Sequence, residues 1–168
     1  MEAPFKGLLP SLKDWMGSIV AILQGSVVGF FLGILPGGGA IIASFISYWV
    51  KRKISKHPEK LGTGAIEAVA APESANNAAV GGSFIPLMIL GIPTNAVIAI
   101  LMGALIIHGV KPGPALLDKY PDIFWGFVAS MYIGNGMLLI LNLPLIPVWV
   151  QILKVPYRIL FPLILLFT

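Results

Sequence analysis

The chain has 168 residues, of which 57% are hydrophobic and only 11% are charged, and its formal net charge is +4. A typical soluble domain has about 25% charged residues, so the composition excludes an ordinary soluble domain. Cysteine is absent, which excludes disulfides, thiolate metal ligands and a cysteine nucleophile.

Long apolar runs with few charges recur along the chain, at 18–35, 83–108 and 123–150. A membrane-spanning helix needs about 20 such residues, so we expect an all-α, polytopic membrane protein. Met1 to Trp15 has no apolar signal-peptide segment. The last apolar run, Ile159 to Thr168, is too short to span a bilayer. We therefore expect residues 1–168 to be one multi-span fragment of a longer membrane protein, and we expect the fragment to end within a helix.

The first apolar stretch continues from Lys13 to Val50, but Leu35-Pro36-Gly37-Gly38-Gly39 interrupts it. Proline removes a backbone donor, and glycine adopts conformations that other residues avoid. An unbroken helix would exceed the roughly 30 Å hydrocarbon core, so we expect one span followed by a half-helix. A basic segment follows, and the positive-inside rule predicts that it is cytoplasmic. Its basic residues are Lys51, Arg52, Lys53, Lys56 and Lys60.

A second interruption, Gly91-Ile92-Pro93-Thr94-Asn95, divides the run 83–108. Pro93 suits the first turn of a restarting helix, which Thr94 or Asn95 could cap. Irregular backbone at membrane depth survives only where protein or water surrounds it, and free N–H groups at helix starts bind anions. The two breaks therefore predict an internal anion site with discontinuous helices. Kinks that serve only packing are the alternative.

The segment Pro72 to Asn77 resembles the start of a helix, with Pro72 in its first turn. Glu73, Asn76 and Asn77 are spaced so that they share one helical face. This face could coordinate a cation, relay a proton or bind a substrate hydroxyl; helix capping with interhelical amide bonds is the alternative.

The sequence also predicts where Glu67 lies and how the last apolar runs are divided. Glu67 is expected to face inward or to lie near the interface, because a charge in lipid is costly. We expect Ile123 to Leu141 to form another span, with Pro144 and Pro147 delimiting a shorter apolar piece.

Enzyme motifs are missing: the sequence contains no GxxxxGK[ST], HExxH or GxSxG pattern. Basic and aromatic residues lie beside the apolar runs, so nothing favours nucleic-acid binding. Two alternatives to a transporter stay open. One is a membrane-embedded enzyme that uses Glu67, Glu73 and His108, and the other is a purely structural membrane subunit.

Three motifs stand in order along the chain: Gly33-Ile34-Leu35-Pro36-Gly37-Gly38-Gly39-Ala40, Glu67-Ala68-Val69-Ala70-Ala71-Pro72-Glu73-Ser74-Ala75-Asn76-Asn77 and Leu90-Gly91-Ile92-Pro93. Together they closely resemble the TctA-type large membrane subunit of the tripartite tricarboxylate transporters, and the stretch 108–114 is similar too. The family has two related halves arranged as an inverted repeat, and this chain resembles the second.

The resemblance implies a multi-pass permease of the bacterial inner membrane that takes up small carboxylates and is not an enzyme. It implies Na⁺ or H⁺ as the coupling ion, with no other cofactor, and two partners. These partners are a small TctB-like membrane subunit and a periplasmic TctC-like solute-binding protein.

The expected site combines the resemblance with the two breaks. We expect backbone and side-chain groups at the breaks to hold the substrate carboxylates, and we expect no catalytic residue and no metal ligand. The substrate-binding residues would be Pro36, Gly37, Gly38, Gly39, Pro93, Thr94 and Asn95. Ion coupling or polar contacts would come from Glu73, Asn76 and Asn77.

Overall fold

The computed structural model describes residues 9–152, 156, 160 and 161, and most of the expected closing run at 159–168 lies outside them. The described residues form helices without strands. The chain divides into two compact units, Ser11–Gly126 and a second made of Met1–Pro10 with Phe127–Thr168. The helices are α1 (Leu12–Ile34), α2 (Gly39–Ile54), α3 (Glu67–Ile85), α4 (Ala96–Ile107), α5 (Leu116–Lys119) and α6 (Pro121–Ile152).

Helix α1 begins at a capping box, in which the Ser11 side chain and the Asp14 side chain each accept a hydrogen bond from the other residue's backbone N–H. With 23 residues and about 1.5 Å of rise per residue, α1 is long enough to cross a bilayer alone. The break at Leu35–Gly38 therefore follows a complete candidate span.

Helix α2 returns antiparallel to α1. The Gln24 amide of α1 lies 3.3 Å from the Ser47 hydroxyl of α2, which pairs the middle of one helix with the middle of the other. The expected half-helix is thus the second arm of a helical hairpin, because the glycines after Pro36 let the chain reverse direction. Gly37 has φ of 81° and Gly39 has φ of 53°, a region that favours glycine.

Helix α3 runs parallel to α1, and the two backbones touch along a line of small residues. A Cβ added at Gly25, Gly29 or Gly33 would overlap the carbonyl oxygen of an alanine of α3. These alanines, Ala71, Ala75 and Ala79, are all fully buried. We call the six residues the glycine–alanine ladder. Such small-residue spacing lets helices pack closely where lipid removes the hydrophobic driving force.

The beginning of α3 differs from the sequence prediction. The helix begins at Glu67, and Pro72 lies inside it, whereas the sequence predicted Pro72 in the first turn. A proline inside a membrane helix removes one backbone bond, which neighbouring helices and hydroxyls can offset. The missing N–H of Pro72 removes the usual helical donor to the Ala68 carbonyl. The Ser44 hydroxyl of α2 donates to a different acceptor, the Pro72 carbonyl oxygen, at 3.1 Å, and so bonds this part of α3 to α2.

A short π-helix, Pro86–Leu90, follows α3 directly and ends at Gly91, which has φ of 69°. Helical geometry resumes at α4, where the Asn95 side chain accepts a hydrogen bond from the Ile98 N–H at 3.0 Å. The interruption therefore lies where the sequence predicts it, and Asn95 is the cap. The prediction that Pro93 lies in the first turn of this helix is wrong, because Pro93 precedes the cap by two residues.

The second unit is described through the greater part of α6, which continues to Ile152 and contains Pro144 and Pro147. The prediction that these prolines delimit a separate piece is wrong, because the helix tolerates both missing donors. Helices α1 and α6 are the two that are long and apolar enough to cross a membrane in the described part of the chain, and α4 is shorter.

Candidate functional site

A cavity of about 570 Å³ lies where the first break, the second break and α3 meet. Four of its lining residues are ones that the sequence predicted to bind substrate. Its lining residues are Gly37, Gly38, Gly39, Ala40, Ile41, Ile42, Val80, Ser83, Asn95, Ala96, Val97 and Ile98. The fold therefore brings together two breaks that are more than fifty residues apart in the sequence.

The two breaks are bonded directly to each other. The Gly37 N–H donates to the Thr94 carbonyl oxygen at 2.9 Å, and the Gly38 N–H donates to the Leu35 carbonyl oxygen at 3.0 Å. The N–H groups of Gly37 and Gly38 are therefore already used within the protein. A ligand would have to find its donors further along, in the first turn of α2.

Helix starts give the cavity its electrostatic character. The N-terminus of α2 has no side-chain cap, so no capping side chain uses the N–H groups of its first turn, which begins at Gly39. Helix α4 begins at the same cavity with Ala96 and Val97. Both N-termini carry the positive end of a helix dipole, and the described lining contains no Lys or Arg. The cavity can hold an anion through backbone groups alone.

Three of the predicted binding residues do not line the cavity: Pro36, Pro93 and Thr94. Thr94 is 4% exposed, and its hydroxyl is buried without a partner among the described residues. The sequence reasoning missed Ser83, whose hydroxyl lies 3.1 Å from the Gly33 carbonyl oxygen and 2.8 Å from that of Ala79. Its spacing from Ala79 within a small-residue segment was the available signal.

The predicted coupling residues lie on α3, apart from the cavity lining. Glu73 and Asn77 are exposed, and the Asn77 amide donates to the Glu73 backbone carbonyl at 3.0 Å. Asn76 turns toward α2, where its amide lies 3.4 Å from the Ser44 hydroxyl. The Glu73 carboxylate is thus not held by either asparagine. Val80, about one turn beyond Asn77, lines the cavity.

Glu67 lies near the end of the bundle where α2 stops. Its carboxylate is 3.4 Å from the Lys51 ammonium group, and the Lys51 side chain is only 8% exposed. In the loop beyond α2, a hydrogen bond from its own backbone N–H lowers the pKa of Glu59, and the neighbouring His57 side chain, 3.3 Å away, adds to this effect. His108 follows the end of α4.

Comparison with known proteins shows which family and which proteins the chain is similar to. The model of the "Tripartite tricarboxylate transporter TctA family" matches residues 1–168. An Agrobacterium vitis protein described as "Uncharacterized 52.8 kDa protein in TAR-I ttuC' 3'region" is 56% identical over 157 residues, covering 94% of this chain and 31% of that protein. A second one, "Uncharacterized protein in TAR-II ttuC' 3'region", is 57% identical over 139 residues, covering 83% of this chain and 57% of its own length.

The chain thus spans between about a third and three fifths of the curated relatives that it matches. No solved structure matches it. The family match over all 168 residues, together with the motifs at both breaks, means that the chain belongs to the tripartite tricarboxylate transporter TctA family.

Proposed function

We propose that the chain is the part of an ion-coupled permease that binds a small di- or tricarboxylate in the cavity between its two breaks. The observation that carries this proposal is the convergence of two helix N-termini, those of α2 and α4, on one cavity. A carboxylate there would be stabilised by aligned backbone dipoles without the desolvation cost of a buried lysine or arginine.

The cavity lining suits a flexible carboxylate in shape as well as charge. Gly39 and Ala40 add little bulk, so a ligand oxygen can approach the backbone N–H groups closely. Ser83 and Asn95 supply the polar side chains, while Ile41, Ile42 and Val97 surround the carbon skeleton. Few polar groups in a largely apolar cavity are typical of small-molecule sites.

Replacing Asn95 with Asp tests this site with little change of shape. Asp caps a helix about as well as Asn, so α4 should be retained. It adds a negative charge beside the proposed anion, and like charges about 4 Å apart repel by about 4 kcal/mol at an effective dielectric of about 20. The carboxylate concentration for half-maximal uptake should rise by at least about tenfold.

The matched control is Ser55→Asp, which adds the same charge just beyond the C-terminus of α2, at the other end of that helix from the cavity. The Ser55 side chain accepts a hydrogen bond from the His57 N–H, and an aspartate can accept it too. Uptake of labelled citrate, tartrate and succinate should be measured in cells that contain a TctA-family permease with this sequence. Unchanged uptake by Asn95→Asp at equal protein level would exclude the cavity as the substrate site.

We place ion coupling at the exposed face of α3 that carries Glu73 and Asn77. A carboxylate facing hydrocarbon at the bilayer centre costs about 3 kcal/mol on insertion scales, so this face is expected to meet water or another protein segment. Asn77 lies about one turn and Glu73 about two turns before Val80, which lines the substrate cavity, so this face would connect a bound Na⁺ or H⁺ to the substrate. Comparing uptake driven by a Na⁺ gradient with uptake driven by a pH gradient would identify the ion.

Membership of a tripartite family supports two partners for this permease, a small membrane subunit and a periplasmic solute-binding protein. It also supports a multi-pass location in the inner membrane. Co-purification of both partners with the permease, in the presence of the transported carboxylate, tests this assembly. A permease that transports at full rate without a binding protein would contradict the tripartite arrangement.

A further inference from the structure

A second cavity, of about 530 Å³, lies at the opposite end of the hairpin from the first break. It is formed by the start of α1, the end of α2 and the loop before α3. Its lining residues are Gly17, Val20, Lys51, Ile54, Ser55, Lys56, His57, Lys60, Leu61, Ala65, Ile66 and Glu67. Nothing in the proposed transport site uses these residues.

The charges in this cavity are not balanced. The ammonium group of Lys51 is matched by Glu67 at 3.4 Å, and His57 faces Glu59 at 3.3 Å. Among the described residues, Lys56 and Lys60 form no ion pair within 4 Å, although the charge of Lys60 also helps to lower the pKa of the neighbouring Glu59. The loop side of the cavity thus presents two lysines that are free to bind a negatively charged group.

The opposite wall is apolar and open. Val20 on α1 is 62% exposed and Ile54 on α2 is 57% exposed, so both aliphatic side chains are open to a lipid chain. Gly17 lines the same cavity, and a Cβ added there would meet nothing within 4 Å, so this part of the lining has room for an aliphatic chain. A cavity with cations on one side and an open aliphatic wall on the other fits an amphiphile.

We propose that this cavity binds an anionic phospholipid, with its phosphate between Lys56 and Lys60 and the upper part of an acyl chain along Gly17, Val20 and Ile54. A small soluble anion would satisfy the lysines but leave the apolar wall uncovered. Basic pockets at helix ends are known to bind acidic lipid headgroups. This inference requires only that the chain lies in a membrane, and it stands or falls separately from carboxylate transport.

Native mass spectrometry of the full chain, released from detergent with added lipid, tests the proposal. Phosphatidylglycerol should bind more tightly than phosphatidylcholine of the same acyl chains. Each basic residue near a membrane surface contributes about 1 kcal/mol, which is about fivefold in affinity, so the double variant Lys56→Gln/Lys60→Gln should weaken phosphatidylglycerol binding by about 30-fold. The matched control, Lys111→Gln/Lys119→Gln, changes two lysines of the segment between α4 and α6, outside this cavity, and should leave binding unchanged.

A second variant, Gly17→Leu, tests the apolar wall without touching charge. It should weaken phosphatidylglycerol binding, whereas binding of soluble glycerol phosphate should not change. Equal binding of the two lipids, or no loss in the Lys56/Lys60 variant, would overturn the proposal. Displacement of the lipid by millimolar citrate or inorganic phosphate would overturn it too, since the cavity would then be a site for a soluble anion.

Discussion

The glycine–alanine ladder makes a quantitative prediction for Gly29. An ideal Cβ on Gly29 would overlap the Ala75 carbonyl oxygen and approach its Cα closely, whereas carbon and oxygen normally stay about 3.3 Å apart in helix contacts. Helices α1 and α3 must then separate by about 1 Å at this point, which also loosens the neighbouring contacts. Overpacking of this kind costs about 1–3 kcal/mol.

Gly17 supplies the control within the same helix, because a Cβ there meets nothing within 4 Å. Both Gly17→Ala and Gly29→Ala gain about 1 kcal/mol of helix propensity, so the difference between them isolates the packing cost. That difference should appear as a lower melting temperature of Gly29→Ala, by about 2–4 °C for each kcal/mol in a chain of this size.

Thermal unfolding of both variants in the same detergent, followed by circular dichroism at 222 nm, measures the difference. If Gly29→Ala melts at the same temperature as Gly17→Ala or above it, the helices are not in backbone contact and the ladder is not what holds them together.

Three further predictions concern topology, ion coupling and the position of the cavity. Thr63→Cys, in the exposed loop before α3, should not react with an impermeant thiol reagent on intact cells, because this loop is predicted to be cytoplasmic. Leu35→Cys, at the other end of the hairpin, should react; the reverse pattern would show that the predicted topology is wrong. Glu73→Gln should impair ion-driven uptake without changing protein level; normal uptake by this variant would exclude Glu73 from coupling. Glu67→Gln should mainly lower stability, by more than the roughly 1 kcal/mol of an exposed pair, because it leaves the buried Lys51 ammonium group without its partner. Gly33→Ala should raise the carboxylate concentration for half-maximal uptake more than Gly25→Ala does, although both Cβ atoms meet an alanine carbonyl; equal effects would separate the ladder from the cavity.

Local chemistry explains which parts of the fold were predictable. The end of α1 and the restart at α4 follow from proline, glycine and an asparagine cap, which act over a few residues. Proline alone was a poor guide inside helices. Pro72, Pro144 and Pro147 were all expected to mark helix ends, and all three lie within helices, because a long membrane helix tolerates the loss of a single backbone donor.

The contacts between residues far apart in the sequence could not be predicted from local patterns. The bond between Gly37 and Thr94 joins residues that no local pattern connects, and so does the pair of Lys51 with Glu67. The role of the α1 glycines was readable in part, since a spacing of four is the mark of close helix contact. Their partners on α3 became identifiable only from the parallel register of the two helices.

The position of the cavity depends on the same packing that holds the bundle together. Gly33 is the last ladder glycine before the first break, and its carbonyl accepts a hydrogen bond from Ser83, which itself lines the cavity. The close approach of α1 and α3 therefore brings the end of α1, just before the Gly37–Gly39 turn, next to Ser83 of α3. The Gly37 bond to Thr94 then holds the second break against this turn. The contact between α1 and α3, the Ser83 bond to Gly33 and the Gly37 bond to Thr94 together hold the starts of α2 and α4 in place. The N–H groups at these helix starts are therefore oriented toward the cavity without a charged side chain. Fixed N–H groups of this kind can bind an anion where water is excluded.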